Sequence, residues 1–252
     1  MSTVTIPPPI HREPELLGQT VVVIGGSAGI GFETARRAHA EGAKVILTGR
    51  NADRLQRAAS EVDALSIAAF DAADTVALDR FFRDLPTIDH VMVTAGRPYY
   101  GRLAEMDFAE IRDLIGAHLL LALYVARNAA NKVRPGGTLI FMSGTGGRRP
   151  AIGMSIASAV TAALPALTAN LALEIAPVRV NLIAAGFVDT PLSAELLGDQ
   201  LEKRRNQLRT TLPIGRVVGP ADVAALAVHI MTNTALTGAT YDIDGGQQFV
   251  SA

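Results

Sequence analysis

Cysteine and tryptophan are absent from this 252-residue chain, and lysine occurs only at Lys44, Lys132 and Lys203. Without cysteine there is no thiol nucleophile, no disulfide framework and no metal site built on thiolates; no other metal site is read either. Charge is scarce as well. Charged residues make up 19% of the sequence and the net charge is −1, so no basic footprint for nucleic acid or an anionic membrane is present. Met1 to Glu15 contains no basic segment followed by an apolar core, so no signal peptide is read and a cytoplasmic location is expected. No charged residue lies between Arg149 and Glu174, a run long enough to cross a bilayer. Ser155, Ser158, Thr161, Thr168 and Asn170 interrupt its apolar character, and Pro165 sits in its middle. That pattern predicts a helix buried in a core or a subunit contact, with no membrane partner.

What is present is apolar and alternating. The hydrophobic fraction is 49%, a globular value, and the length does not require two domains. Residues 1–17, with Pro7-Pro8-Pro9 and Pro14, predict a flexible N-terminal arm, and residues 18–252 one domain. Strand patterns fall at Val21–Ile24, Lys44–Thr48, Ala64–Phe70, His90–Ala95, Thr138–Ser143, Val178–Ile183 and Ala239–Ile243. Helical patterns fall between them: Phe32–Ala40, Asn51–Val62, Asp74–Leu85, a long stretch from Ala109 to Lys132, the uncharged helix at 153–176, and Pro220–Met231. Residues 191–216 read as a loop. Strands alternating with helices predict an α/β domain of the doubly wound Rossmann type. Its sheet is parallel and seven-stranded, with helices on both faces and ligands beyond the carboxyl ends of the strands.

The stretch from Val21 to Gly31 fits that geometry most closely. Four β-branched residues run into Gly25-Gly26-Ser27-Ala28-Gly29-Ile30-Gly31, and a helix follows. A strand passing through glycines into a helix aims backbone N–H groups and the positive end of the helix dipole at one point, where a phosphate can sit. Such glycines also serve plain turns, and the rest of the chain must decide between the two.

From Gly18 to Gly246 the residues resemble the short-chain dehydrogenase/reductase family. Gly25-x-x-x-Gly29-Ile30-Gly31 is similar to its cofactor loop, Asp71 to the acid that holds the adenine, and Thr94-Ala95-Gly96 to the Asn-Ala-Gly after the fourth strand. Asn181, Gly186-Phe-Val-Asp-Thr190 and Asp244-Gly245-Gly246 match the C-terminal half in order. The resemblance implies a nucleotide site built from Gly25, Ser27, Ala28, Gly29, Ile30 and Gly31, with Arg50 and Asn51 after the second strand and Asp71 after the third. Ala95 and Gly96, Thr161 near the ribose, and Gly186, Val188 and Thr190 complete it. Members preferring NAD resemble one another in an acid at the end of the second strand. Here Gly49 stands there and Arg50 follows, which points to NADP(H), since a guanidinium can hold a 2′-phosphate. The resemblance also implies a homotetramer or homodimer joined through the helices at 109–132 and 153–176.

The catalytic half departs from the family. Its members share a Tyr-x-x-x-Lys pair, a serine and an asparagine. The pair falls here on Ala157 and Thr161, the serine on Gly144 with Ser143 beside it, and the asparagine on His118. No change of register restores the pair, because no tyrosine lies between Tyr124 and Tyr241 and no lysine between Lys132 and Lys203. Ser143 and His118 are the candidate replacements, with Tyr99 and Tyr100 as further pocket residues. Arg148 and Arg149 would suit an anionic small-molecule substrate.

Three functions are open at this point. The first is a divergent NADP(H)-dependent oxidoreductase acting on a carbonyl, imine or activated alkene with a non-standard proton donor. It suits a substrate needing little proton help, such as an already cationic imine. The second is a non-catalytic NADP(H)-binding sensor or partner subunit, and the third a non-redox reaction in the emptied pocket. The cofactor half favours the first.

Overall fold

Alternation along the strands decides both faces of the sheet. In β1 (Thr20–Ile24), Val22 and Ile24 point to one side and Val21 and Val23 to the other, and all four are fully buried. A strand buried on both faces must be covered twice, and here it is. The structure, a computed structural model, describes residues 14–148 and 150–250. It contains β2 (Lys44–Gly49), β3 (Ser66–Ala69), β4 (Ile88–Val93), β5 (Val133–Gly144), β6 (Arg179–Ala185) and β7 (Thr240–Ile243). All pairings are parallel, in the order β3-β2-β1-β4-β5-β6-β7. One face packs on α3 (Thr75–Asp84), α5 (Leu121–Ala129) and α6 (Ser155–Glu174) through Leu78, Phe82, Val125, Val160 and Leu164. The other packs on α1 (Gly29–Ala40), α2 (Ala52–Glu61) and α9 (Pro220–Thr232) through Ala35, Ala38, Leu55, Val223 and Ala227. This is the doubly wound α/β fold expected. Its order reverses between β1 and β4, so the crevice for a ligand opens beyond their carboxyl ends.

Several boundaries differ from the sequence reading, each for a local reason. The arm expected over 1–17 is anchored before Gly18: Leu16 is fully buried and its amide donates to the Glu41 carbonyl at 2.9 Å. Residues 1–13 lie outside the described residues. The stretch read as one helix from Ala109 to Lys132 is α4 (Phe108–Ile115), a π-helical segment at Gly116–Leu120, and α5. Pro135 and the two glycines after it lie inside β5, which begins at Val133. The uncharged helix α6 runs through Pro165 without a break, but only one side is buried, and Leu173 is 80% exposed. It is long and apolar enough to cross a membrane, yet Val160, Leu164 and Leu171 seat it on the sheet. Residues 191–216 are not a plain loop; they hold α7 (Pro191–Leu197) and α8 (Leu201–Thr211).

Two buried polar side chains tie the sheet together at its lower end. The His90 Nδ1 accepts from the Thr138 amide at 3.3 Å, so Nε2 carries the proton and donates to Gln19 Oε1 at 2.6 Å. Arg179, 6% exposed, donates to the carbonyls of Gly136, Ile230, Met231, Asn233 and Leu236. Among the described residues no carboxylate pairs with it. Its counter-charge is the negative end of α9 and the carbonyls just beyond.

Candidate functional site

The turn after β1 is drawn tight between its neighbours. The amides of Gly25 and Gly26 donate to the Thr48 carbonyl of β2, and Thr94 Oγ1, after β4, donates to the Gly25 carbonyl at 3.0 Å. A β-carbon on Gly31 would lie 2.3 Å from the Gly25 carbonyl oxygen, and one on Gly25 2.8 Å from the Ala95 nitrogen. Gly25 also needs glycine for its φ of +96°. The helix therefore starts close against the strand. Its N-cap residue Ala28 supplies no side-chain hydrogen bond, so no side chain of this residue competes for the first amides of α1. A backbone cradle that β-carbons would fill, opening onto an N-terminus its N-cap side chain leaves open, is the fit a pyrophosphate requires.

Beyond β2 and β3 the rim carries Arg50, Asn51 and Asp71. The Arg50 side chain is 71% exposed, with Nη1 4.0 Å from Asp71 Oδ2. Asp71 Oδ1 accepts from the Ala73 amide at 3.0 Å. Asn51 caps α2, its Oδ1 accepting from the Arg54 amide at 2.8 Å. At Gly49 a β-carbon would sit 3.1 Å from Ser27 Oγ, so an acidic side chain there would crowd the turn as well as repel a phosphate.

Beyond β4, β5 and β6 a cavity of about 610 Å³ opens. Of the residues expected to bind or react, Ile30, Ala95, Gly96, His118, Ser143, Thr161, Gly186, Val188 and Thr190 line it. Gly25, Ser27, Ala28, Gly29, Gly31, Arg50, Asn51 and Asp71 do not; they belong to the rim around the cradle. The π-helical segment carries His118 and brings its Nε2 to 3.3 Å from where a β-carbon on Gly96 would be. A residue inserted into a helix re-aims the side chains around it, and such segments recur at functional sites. Ser143 Oγ is buried and has no hydrogen-bond partner among the described residues, a costly state for a hydroxyl unless a ligand supplies one. Ala157 and Thr161 both face the cavity. The Thr161 hydroxyl donates to the Ser158 carbonyl of its own helix at 3.1 Å, so it is a weak substitute for a lysine at that place.

The arginines are distributed differently from the sequence reading. Arg148 pairs with Asp242 and donates to Gln248 Oε1 at 3.0 Å, away from the cavity wall. The same bond holds the Asp242 carboxyl below the usual carboxylate range. Arg149 lies outside the described residues. The cavity is lined instead by Arg97 and Arg204, and no Asp or Glu lines it among the described residues. Sequence reasoning missed both arginines, together with Gln247 and the α7 leucines Leu192, Leu196 and Leu197. Arg97 directly follows Gly96 and could have been found; Arg204 sits in a segment with no apolar period. Gln247 Oε1 accepts the Phe187 amide at 2.8 Å and so shapes the loop after β6. Tyr99 and Tyr100 line the cavity as expected.

Known proteins are similar to this chain over most of its length. The sequence profile of the family described as Enoyl-(Acyl carrier protein) reductase matches residues 25–248. "Short-chain dehydrogenase/reductase ATR9" of Stachybotrys chlorohalonatus is 29% identical, over 92% of this chain and 98% of its own. "NADP-dependent (R)-specific alcohol dehydrogenase" of Lentilactobacillus kefiri is 30% identical, over 92% of this chain and 97% of its own. The crystal structure of BdcA in complex with NADPH superposes with a TM-score of 0.83 at 28% identity, covering 92% of this chain and 95% of that one.

Proposed function

Since the chain belongs to the short-chain dehydrogenase/reductase family, we propose that it is an NADP(H)-dependent oxidoreductase in which Ser143 and His118 do the work of the missing tyrosine. The cofactor reading rests on the Gly25–Gly31 cradle, on Arg50 in place of an acid, and on NADPH in a structure similar to this one. NADPH, when bound, supplies the hydride. The residues of the chain do the rest.

The Ser143 hydroxyl, which has no partner among the described residues, carries this reading. A substrate oxygen reaching it receives a hydrogen bond at the point where negative charge gathers during reduction. His118, on the same wall, hands over the proton that completes the product, a role worth about 10²–10⁴ in rate. The wall also selects among substrates. A preformed iminium would enter beside the guanidiniums of Arg97 and Arg204, with no Asp or Glu on the cavity lining among the described residues. A neutral polarised group, a ketone or an alkene conjugated to a carbonyl, meets no such penalty and is favoured.

NADPH consumption against a panel of ketones, conjugated enones and one preformed iminium tests this. Turnover is expected with the neutral compounds, with Ser143→Ala and His118→Gln each lowering kcat at least a hundredfold while leaving NADPH affinity unchanged. Turnover of the iminium alone, or of nothing, would overturn it. Exposed Phe108, Leu120, Leu123 and Leu173 on α4, the π-helical segment, α5 and α6 support assembly as a homotetramer or homodimer, which light scattering reads directly.

A further inference from the structure

The side of α6 that faces the cavity carries short or aliphatic side chains. Ala157, Val160, Thr161 and Leu164 stand at i, i+3, i+4 and i+7 of the helix, so they share one face, and all four line the cavity. Thr161 is the polar member, but its hydroxyl is turned elsewhere. It donates to the Ser158 carbonyl and lies 3.0 Å from where a β-carbon on Gly147 would be, and Gly147 is not on this lining. The Thr161 methyl is the part beside Gly144, which is on the lining; a β-carbon there would meet it at 3.5 Å. The Ser158 hydroxyl donates to the Gly146 carbonyl at 3.1 Å, and Ser158 is not on this lining either. Helix α6 therefore offers the cavity an apolar surface whose shallowest point is Ala157.

Helix α7 supplies a second apolar surface. Leu192, Leu196 and Leu197 line the cavity, yet no residue of α7 is buried, and Leu196 is 37% exposed. An apolar ligand would take these leucines out of water. The arginines on the lining have partners of their own: Arg97 pairs with Glu195, and Arg204 donates to Gln207 Oε1. They call for no charge on the ligand. A slender chain in a space of about 610 Å³ leaves wall atoms without partners, whereas a ring system reaches both surfaces and gains dispersion on each.

We infer that this cavity takes a substrate with a broad, uncharged hydrophobic body, fused-ring or caged, held against the α6 face and the α7 leucines, and that Ala157 sets the width it accepts. This assignment rests on the cavity being the substrate site of the proposed oxidoreductase.

Binding is the test. Adamantyl methyl ketone and decyl methyl ketone have the same carbon count and the same reacting group, and differ in width. Each is titrated calorimetrically into the full chain in saturating NADP⁺. The caged ketone is expected to bind severalfold tighter, although transfer from water alone favours the chain, which has more apolar surface. Ala157→Phe fills the space beside α6 and is expected to cancel that preference, weakening the caged ketone far more than the chain; Ala157→Val shrinks it partway. Leu192→Ser combined with Leu196→Ser lowers the affinity of both ketones severalfold. NADP⁺ titration of each variant checks that the nucleotide cradle is intact, and where Ala157→Phe fails that check the smaller Ala157→Val decides. Equal binding of the two ketones by the native chain, tighter binding of the decyl compound, or a preference that Ala157→Val leaves unchanged would overturn the inference. A protein that selects by width as described but reduces neither ketone keeps this inference and loses the proposed reaction. One that reduces both and binds them without regard to width keeps the reaction and loses the inference.

Discussion

His118 Nε2 stands 3.3 Å from the point that a β-carbon on Gly96 would occupy, and Gly96 holds a φ of +122°. The glycine is thus required twice, once by its backbone and once by the imidazole above it. Gly96→Ala is expected to cost about 1–3 kcal/mol in strain and to push His118 aside. Because a displaced catalytic group can lose roughly a hundredfold in rate, kcat should fall that far. Chemical denaturation and steady-state kinetics check both. Full activity in Gly96→Ala would mean that the position of His118 is immaterial.

Arg50 lies on the open rim with only a 4.0 Å approach to Asp71, so its charge is available to a phosphate. Charge-assisted bonds of about 1.5–3 kcal/mol set the expectation for Arg50→Met: NADPH affinity drops about ten- to a hundredfold and NADH affinity is unchanged. Titration of both nucleotides decides it, and an equal loss for the two would assign Arg50 a role unrelated to the 2′-phosphate.

Burial pushes the His90 imidazole down from the usual 6.5 to about 4; the Arg179 charge adds to this and Asp89 opposes it. The unfolded chain therefore takes a proton near pH 6.5 that the folded chain refuses until about pH 4. Stability from this group is complete above pH 6.5 and falls as the pH drops toward 4, by up to roughly 3 kcal/mol. Urea unfolding at pH 7.5 and 4.5 should show that loss, and His90→Gln should flatten it. Equal slopes in the two proteins would remove His90 as the cause.

Arg179 leaves several buried carbonyls unsatisfied when it is removed, and methionine can fill its volume without donating to them. Arg179→Met is expected to lower the unfolding free energy by about 2–4 kcal/mol. A loss below about 1 kcal/mol would show that water replaces the guanidinium.

The fold was legible because strand and helix patterns alternate along the chain, and because β1 is a run of β-branched residues that ends in the glycine turn from Gly25 to Gly31. The absence of a tyrosine between Tyr124 and Tyr241 and of a lysine between Lys132 and Lys203 was equally plain. The π-helical segment was not, since its inserted residue leaves the apolar pattern from Ala109 to Lys132 nearly unbroken. Helix α8 was missed because it is strongly polar and, on its own, buries only Leu208. The fate of Arg148 depends on Asp242, 94 residues away, a partner that no local pattern announces. What sequence conveys poorly here is contact between distant segments, and the cavity wall that α7 and α8 supply depends on such contacts.

The place of β1 in the sheet sets a timetable for synthesis. Val21 pairs with Val45 on one side and with His90 on the other. A ribosome adding about 5–20 residues per second delivers the second partner several seconds after the first. During that interval a valine-rich strand shows an open edge, the kind of surface on which other nascent chains can dock. Yield on expression should therefore respond to translation speed and chain crowding more than to the final stability of the sheet.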